Sequence, residues 1–515
     1  MDKECSRCSS GFEVTDDDLK FYQKVSPVVD GVRIEIPSPT LCPECRFKDR
    51  LCFRNQSTMY RRKCDKTGKD IISMYKEDAP FPVVFHEEWY KDDWDARNYG
   101  RDFDFSKSFF EQFLELRNEV PHMSLVFHNN ENCDYCNVVG DSKNCYLIYG
   151  SIECEDCYYG NPYKCIKCVD SFLLRDSELC LECVDSSKLY GCYRCQNCSN
   201  SSDLKFCFEV NNSKDCFCCA ALNHKQYCIY NEQYSKEEYE RIVGEIDLMD
   251  PVQFEKVIAE FEKLKVQVPH KYYVGTNNEN VSGNYIFNSK DCHDVYGVDE
   301  CRDVSHSFQL QGVNDSMDLT VGEYGELNYN VSAFYGGVSR VVFSYFCWGN
   351  VHDLVYCGQC TQNVADCFGC VGMSNAQYCI LNKQYSKGEY EDMVKKIIEL
   401  MKERGEWGEF FPSELSPFDY NETVAAEFFP KGNDELLDAP FKIIPQEEKM
   451  YKRFRVPLPV KSPKRRHLDR IALRNKMNLN EVDCYKCGDK LLSTYSLDQG
   501  VNVYCGKCYL ESIYG

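Results

Sequence analysis

Eight cysteines stand where they could hold metal. Cys5-x2-Cys8 is followed by Cys42-x2-Cys45, and Cys484-x2-Cys487 by Cys505-x2-Cys508. A Cys-x2-Cys turn places two thiolates on one side of a tight knuckle. Two knuckles close a tetrahedron of soft sulfur ligands around Zn(II). No ligand position stays open in such a set, so the expected cofactor is two structural zinc ions that do no chemistry of their own. The C-terminal knuckles are separated by residues 488–504, an ordinary zinc-ribbon spacing, and the N-terminal ones by the longer segment 9–41. Four thiolates on one zinc carry two excess negative charges, which Arg46, Lys48 and Arg50 are placed to offset. Each module is small, so metal is expected to be required for its folding.

Other chemistry is sparse. Phosphate-cradling glycine loops, HExxH and GxSxG are absent, and no enzyme is expected. Cys292 beside His293, and His352 near Cys357, come nearest to a thiol–imidazole pair, an arrangement that is usually coincidental. Two basic stretches, Arg61-Arg62-Lys63 and Lys464-Arg465-Arg466, lie on the ribbon modules and are candidate nucleic-acid contacts. Such runs are more often solvated faces.

The chain bounds these readings. Its 515 residues are too many for one core and imply roughly three to five units. A net charge of -22 argues against a general nucleic-acid binder. The 35 cysteines are an odd number, which fits a fully paired disulfide framework poorly. The start, Met1-Asp-Lys-Glu-Cys5, has neither a basic nor an apolar leader region, and no stretch approaches 18 apolar residues. The expectation is a cytoplasmic protein, with thiols reduced and no membrane contact.

Internal repeats organise the chain. Residues 215–246 and 366–397 align without a gap, and more than half of the positions are identical. Upstream, residues 142–157 match 289–304, so the middle is one unit used twice. The ends are related as well. PSPTLCPECRFKDRLCFRN at 37–55 matches PLPVKSPKRRHLDRIALRN at 457–475, with Cys42 and Cys45 replaced by Ser462 and Arg465. Cys64 to Lys69 aligns with Cys484 to Asp489. Each end therefore carries two ribbon-like modules, A then B. The N-terminal A and the C-terminal B keep four cysteines each.

Module A (CSRCSSGFEVTDDDLKFY, then CPECRFKDR) resembles bacterial zinc-ribbon domains with a CPxCR knuckle. The whole chain, including YGRDFDFSKSFFEQF and SPFDYNETVAAEFF, resembles a cysteine-rich zinc-ribbon protein family of the ultra-small, candidate-phyla bacteria. The resemblance implies terminal zinc-ribbon domains and no particular activity. The second module A departs from it by losing its cysteines.

Between the ends, cysteines fall at 133, 145, 157, 168, 180, 192, 216 and 228, with Leu204 filling the gap, and a companion series falls at 183, 195, 207 and 219. The series advances in twelve-residue steps, except that the step from 157 to 168 is one shorter. Polar residues such as Asn132, Asn144, Asp156, Asp203 and Asp215 precede rungs of this ladder. A short constant period with turn residues at fixed places predicts a stacked β-solenoid, each coil two very short strands and two tight turns. Three readings compete for the cysteines: a narrow core of small apolar groups, metal or cluster sites, and a disulfide ladder. In the second repeat the equivalent of Cys157 is Val304, which favours packing there. Capping boxes at Ser235/Glu238 and Ser386/Glu389 predict a helix closing each repeat. Amphipathic patterns add helices over 251–266 and within 105–119.

The predicted fold is mainly β with some α: two short-repeat β-solenoid units flanked by terminal zinc ribbons, with capping helices. The expected division is 1–90, zinc ribbon A plus degenerate B; 91–126, helical linker; 127–234, cysteine-rich solenoid; 235–271, helices; 272–385, second solenoid; 386–432, helix and linker; 433–515, degenerate A plus zinc ribbon B. The function expected is a non-enzymatic scaffold or adaptor for an unidentified protein partner. The alternatives are a ribosome- or RNA-associated factor, and a metal-storage or redox protein using the ladder.

Overall fold

The computed structural model describes residues 1–432 and 440–514. Two compact units divide the chain. One joins Met1–Ser124 to Tyr273–Pro430, and the other joins Leu125–Tyr272 to Lys431–Gly515. The N-terminal ribbon modules thus belong with the second repeat, and the C-terminal modules with the first. The boundary expected at 433 lies outside the described residues.

In the first repeat, consecutive strands pair in parallel. Asn137 stands opposite Tyr149, Leu204 opposite Cys216, and Cys207 opposite Cys219, each pair one twelve-residue step apart. The step from Tyr158 to its partner Val169 is one shorter. Positive φ recurs at about every third residue: Asn129, Asn132, Tyr135, Val138, Asp141, Asn144 and onward to Tyr230. Each twelve-residue step therefore contains four left-handed turning points, not the two tight turns expected. Asn and Asp tolerate this conformation best, which is why they precede the cysteines. Tyr, Val and Leu also occupy it, held there by hydrogen bonds to neighbouring strands such as Leu147 N–H to Asp134 O at 3.2 Å.

The residue after each turning point faces inward. The resulting core consists of Cys136, Cys145, Cys154, Cys157, Cys165, Cys168, Cys180, Cys183, Cys192, Cys195, Cys198, Cys207, Cys216, Cys219 and Cys228, with Val139, Ile148, Leu174, Leu189, Leu204 and Val210. The short sides leave room only for such small groups. Serines share the same positions. Ser186 Oγ donates to Val184 O at 2.8 Å and accepts from the Cys198 N–H at 3.1 Å, joining one strand layer to the next.

The second repeat also pairs its strands in parallel, with less regular steps, Glu279 opposing Lys290 at a step one shorter than twelve. Met317 opposes Tyr329 at the same twelve-residue step, but Phe334 opposes Cys347 and Leu354 opposes Cys367 at a step one longer. Its core uses larger groups, among them Val295, Val298, Leu310, Leu319, Phe334 and Val341. Glycine is required where the register shifts. At Gly283 (φ +132°) a Cβ would stand 1.9 Å from Val295 O, and at Gly160 of the first repeat, with the same φ, 2.0 Å from Ser171 O.

Each repeat ends in an antiparallel strand pair, Gln226–Ile229 with Glu232–Gln233 and Ser374–Ile380 with Lys383–Gln384. The helices Lys236–Glu245 and Lys387–Glu403 follow, with the expected capping boxes. Helices also span Pro251–Gln267 and Phe109–Glu119.

Candidate metal centres

Cys5 and Cys8 sit in the turn between the paired strands Asp2–Glu4 and Gly11–Glu13. The Cys5 N–H reaches Ser10 O at 2.9 Å, and Ser9 takes φ 60° to close the knuckle. Cys42 is the N-cap of the Pro43–Cys52 helix, and Cys45 lies in its first turn. Helix geometry thus presents the second thiol pair on one side. The four Sγ atoms lie within 4.8 Å of one another, with Cys8 and Cys42 3.7 Å apart. Cys5, Cys42 and Cys45 are buried and Cys8 is exposed. Burial pushes the Cys5 thiol up, but the backbone N–H groups of Cys42, Cys8 and Arg7 outweigh it and leave the group at about 6. Burial raises Cys42 to about 11.

The C-terminal group is built alike. The strands Asn480–Asp483 and Lys490–Ser493 flank the knuckle, in which Cys484 N–H meets Asp489 O and Gly488 N–H meets Cys484 O, both at 2.8 Å. Cys505 precedes the Gly506–Tyr514 helix and Cys508 lies within it. All four Sγ lie within 4.8 Å, and Cys487 and Cys505 are 3.9 Å apart. Burial opposes ionisation of Cys484, yet the N–H groups of Cys505, Cys487 and Lys486 hold it at about 6. Both groups could hold a metal ion. Among the described residues, three or more ligand atoms converge this way only at these two places.

The degenerate modules keep the frame without the ligands. Cys64 N–H meets Lys69 O and Gly68 N–H meets Cys64 O, again both at 2.8 Å. Phe85 N–H points at Cys64 Sγ from 3.4 Å, as Cys505 N–H points at Cys484 Sγ from 3.3 Å. Thr67, Phe85 and Glu88 stand where Cys487, Cys505 and Cys508 would be. In the second module A, Ser462 caps the Pro463–Ile471 helix through the Arg465 N–H at 3.2 Å.

The basic residues are placed otherwise than expected. Arg46 and Arg50 turn from the thiols toward Asp318, and Lys48 lies 5.5 Å from the Tyr420 ring. The guanidinium beside the first site is Arg7, which the sequence reading missed. It grips Asp49 through two bonds of 2.6 and 2.9 Å, tying the first knuckle to the helix that carries the second. Of the candidate nucleic-acid contacts, Arg62 is buried and bonds Asp65 at 2.8 Å. Arg466 is buried between Asp170 and Glu447. Lys63 pairs with Asp70 at 2.6 Å. Arg61 is exposed, and Lys464 and Arg465 are half-buried. The stretches are therefore not continuous free faces. The thiol–imidazole pairs do not form either. Cys292 faces the core while His293 faces outward, and His352 bonds Asp353 at 2.7 Å while Cys357 is fully buried.

No protein-family model and no curated protein matches the chain. Among solved structures, one match is a crystal structure of a "putative acetyltransferase" from Desulfovibrio desulfuricans G20. It shares 8% identity over 54% of this chain and 81% of that one, with a TM-score of 0.11, too low to carry an argument. No helix among the described residues is long and apolar enough to cross a membrane.

Proposed function

We propose that this protein is a zinc-pinned scaffold whose two repeats are stacked-coil β-solenoids offering extended surfaces to a macromolecular partner. The observation that carries the reading is the double four-thiol closure. Zn–S bonds of about 2.3 Å set tetrahedral S–S separations of about 3.8 Å, which the 3.7 and 3.9 Å pairs fit. Four sulfurs fill the coordination sphere, so each ion would lock a terminal module and leave no position for substrate. Zinc is favoured over harder ions by the all-sulfur donor set. The twelve-residue parallel register and the small inward residues support coils stacked as in repeat proteins. Metal analysis of the purified chain tests the proposal, together with partner capture from a lysate before and after chelation. Two zinc ions per chain, and a specific partner lost on chelation, are expected. A metal-free chain that stays folded and keeps its partner would overturn the pinning role.

A second reading has its own observation. An open groove of about 670 Å³ on the first repeat is lined by Lys188, Lys214, His224 and Lys225 among Asn200 and Asn212. Such a groove suits an anionic partner such as RNA. Reversal of Lys188, Lys214 and Lys225 to Glu tests this reading better than changes at the buried Arg466. Salt-dependent RNA retention lost in that variant would favour it. Unchanged retention would remove it.

A further inference from the structure

We propose that the first repeat takes up Cu(I) along its thiol column, one ion between each two successive column thiols, from Cys133 inward to Cys192. Neither the scaffold reading nor the terminal sites are needed for this. Six cysteines, Cys133, Cys145, Cys157, Cys168, Cys180 and Cys192, occupy one inward position in six successive layers, set by the parallel pairs Glu131–Lys143, Lys143–Glu155, Glu155–Ile166, Ile166–Glu178 and Glu178–Tyr190. Cys136, Cys154, Cys165, Cys183 and Cys195 share the same buried core. All 35 cysteines are free thiols.

The column supplies sulfurs two at a time, one from the strand layer above and one from below. Parallel layers lie roughly 4.8 Å apart, close to the span of a linear S–Cu–S unit. Cu(I) is soft and accepts two thiolate ligands, whereas Zn(II) wants four that converge. Charge selects the same ion. This core is dry, and an uncompensated charge in it is expensive. If each Cu(I) sits between two successive sulfurs and displaces one thiol proton, five ions replace five protons, one thiol keeps its own, and the metal-filled column stays neutral. The protons leave to solvent, and nothing is oxidised or reduced. A zinc ion on four thiolates would instead bury two negative charges.

The column has one mouth. Cys133 is partly exposed, and the five thiols beyond it are buried. The far end is closed by the Glu232–Gln233 strand and the helix that carries the buried Tyr239. The second repeat is a built-in contrast, because there Cys292, the counterpart of Cys145, lies in register between Val281 and Val304.

The test uses the full-length, zinc-loaded chain without oxygen. Cu(I) is delivered as its bathocuproine disulfonate complex, and both metals are counted after desalting. The expected result is about five Cu(I) per chain with the zinc count unchanged. The variant Cys145→Val/Cys157→Val/Cys168→Val, which puts valine at three successive column positions as Val304 stands at one, should at least halve copper uptake. Copper bound only in step with zinc lost, or uptake equal to wild type in that variant, would overturn the proposal. If circular dichroism shows the triple variant unfolded, Cys133→Ala takes its place. Slower and smaller uptake is then expected, and an unchanged rate and amount would overturn it.

Discussion

Asp318 holds Arg46 with its Oδ2 2.8 Å from Nε, and both side chains are almost wholly buried. The other carboxylate oxygen reaches Arg50 at 3.2 Å, one helical turn on from Arg46. The i, i+4 spacing puts both guanidinium groups on one helix face, so one carboxylate can serve both. The other unit repeats the device. Arg466 and Arg470 of the Pro463–Ile471 helix meet Asp170, the second at 2.9 Å, and Tyr451 donates to the same carboxylate at 2.9 Å. The arginines that survive in both copies of module A are therefore docking groups, and they persist where the cysteines were lost.

Removing such an acceptor takes from two buried cations the carboxylate they share. Asp318→Asn is expected to cost about 3–5 kcal/mol, and Asp170→Asn a similar amount. Denaturant midpoints measure this. A loss below about 1 kcal/mol in both variants would mean that water or a rearranged side chain replaces the carboxylate.

The metal-free module B offers a constructive test. Its knuckle keeps the hydrogen bonds of the C-terminal site, including the N–H aimed at Cys64 Sγ. Thr67→Cys/Phe85→Cys/Glu88→Cys should therefore create a third site, raising zinc from two ions per chain to three. Metal analysis and a cobalt-substituted absorption spectrum check it. A count still at two in a folded variant would show that the backbone match does not carry to the sulfurs.

The terminal sites were legible because each ligand set is two local pairs, and the spacing of a Cys-x2-Cys knuckle is its geometry. The twelve-residue period gave the parallel register for the same reason. The three-residue period within it went unread, although Cys133/Cys136, Cys154/Cys157 and Cys180/Cys183 display it. Here Cys-x2-Cys means successive inward positions, not a knuckle. Left-handed φ at Tyr135, Val138 and Leu147 follows from the neighbouring strands and leaves no mark on residue type. The Arg46–Asp318 pair was illegible because its partners are 272 residues apart.

Buried histidines set an acid limit. His86 is lowered to about 4, His122 to about 3 and His270 to about 4, in each case chiefly by burial. An unfolded chain protonates these groups near pH 6.5, while the folded chain resists until pH 3–4. Stability is therefore full above pH 6.5 and falls as pH drops toward 4, by up to about 3 kcal/mol per group. Acid release of thiolate-bound metal acts in the same direction, so the informative quantity is a difference. His122→Gln should show a shallower fall between pH 7 and 5 than wild type. Parallel curves would assign the acid sensitivity to the metal sites instead.

Serine and cysteine share the inward positions, and the hydrogen bonds say what each contributes. Ser186 Oγ, between Val184 O and the Cys198 N–H, satisfies a backbone donor that has no water to turn to. Ser177 does the same for the Leu189 N–H at 3.0 Å, and Ser201 for the Ser213 N–H at 3.0 Å. A thiol can stand in more weakly, as Cys198 Sγ does for the Val210 N–H at 3.4 Å. Ser186→Ala removes the acceptor outright and is expected to cost about 1–3 kcal/mol. Ser186→Cys keeps a longer acceptor and should fall between alanine and wild type. Hydrogen exchange at the Cys198 amide reads the effect at its source, with protection highest in wild type, lower in Ser186→Cys and lowest in Ser186→Ala. If cysteine and alanine proved equal, sulfur would be acting here only as volume, and the mixed ladder would be a matter of packing alone.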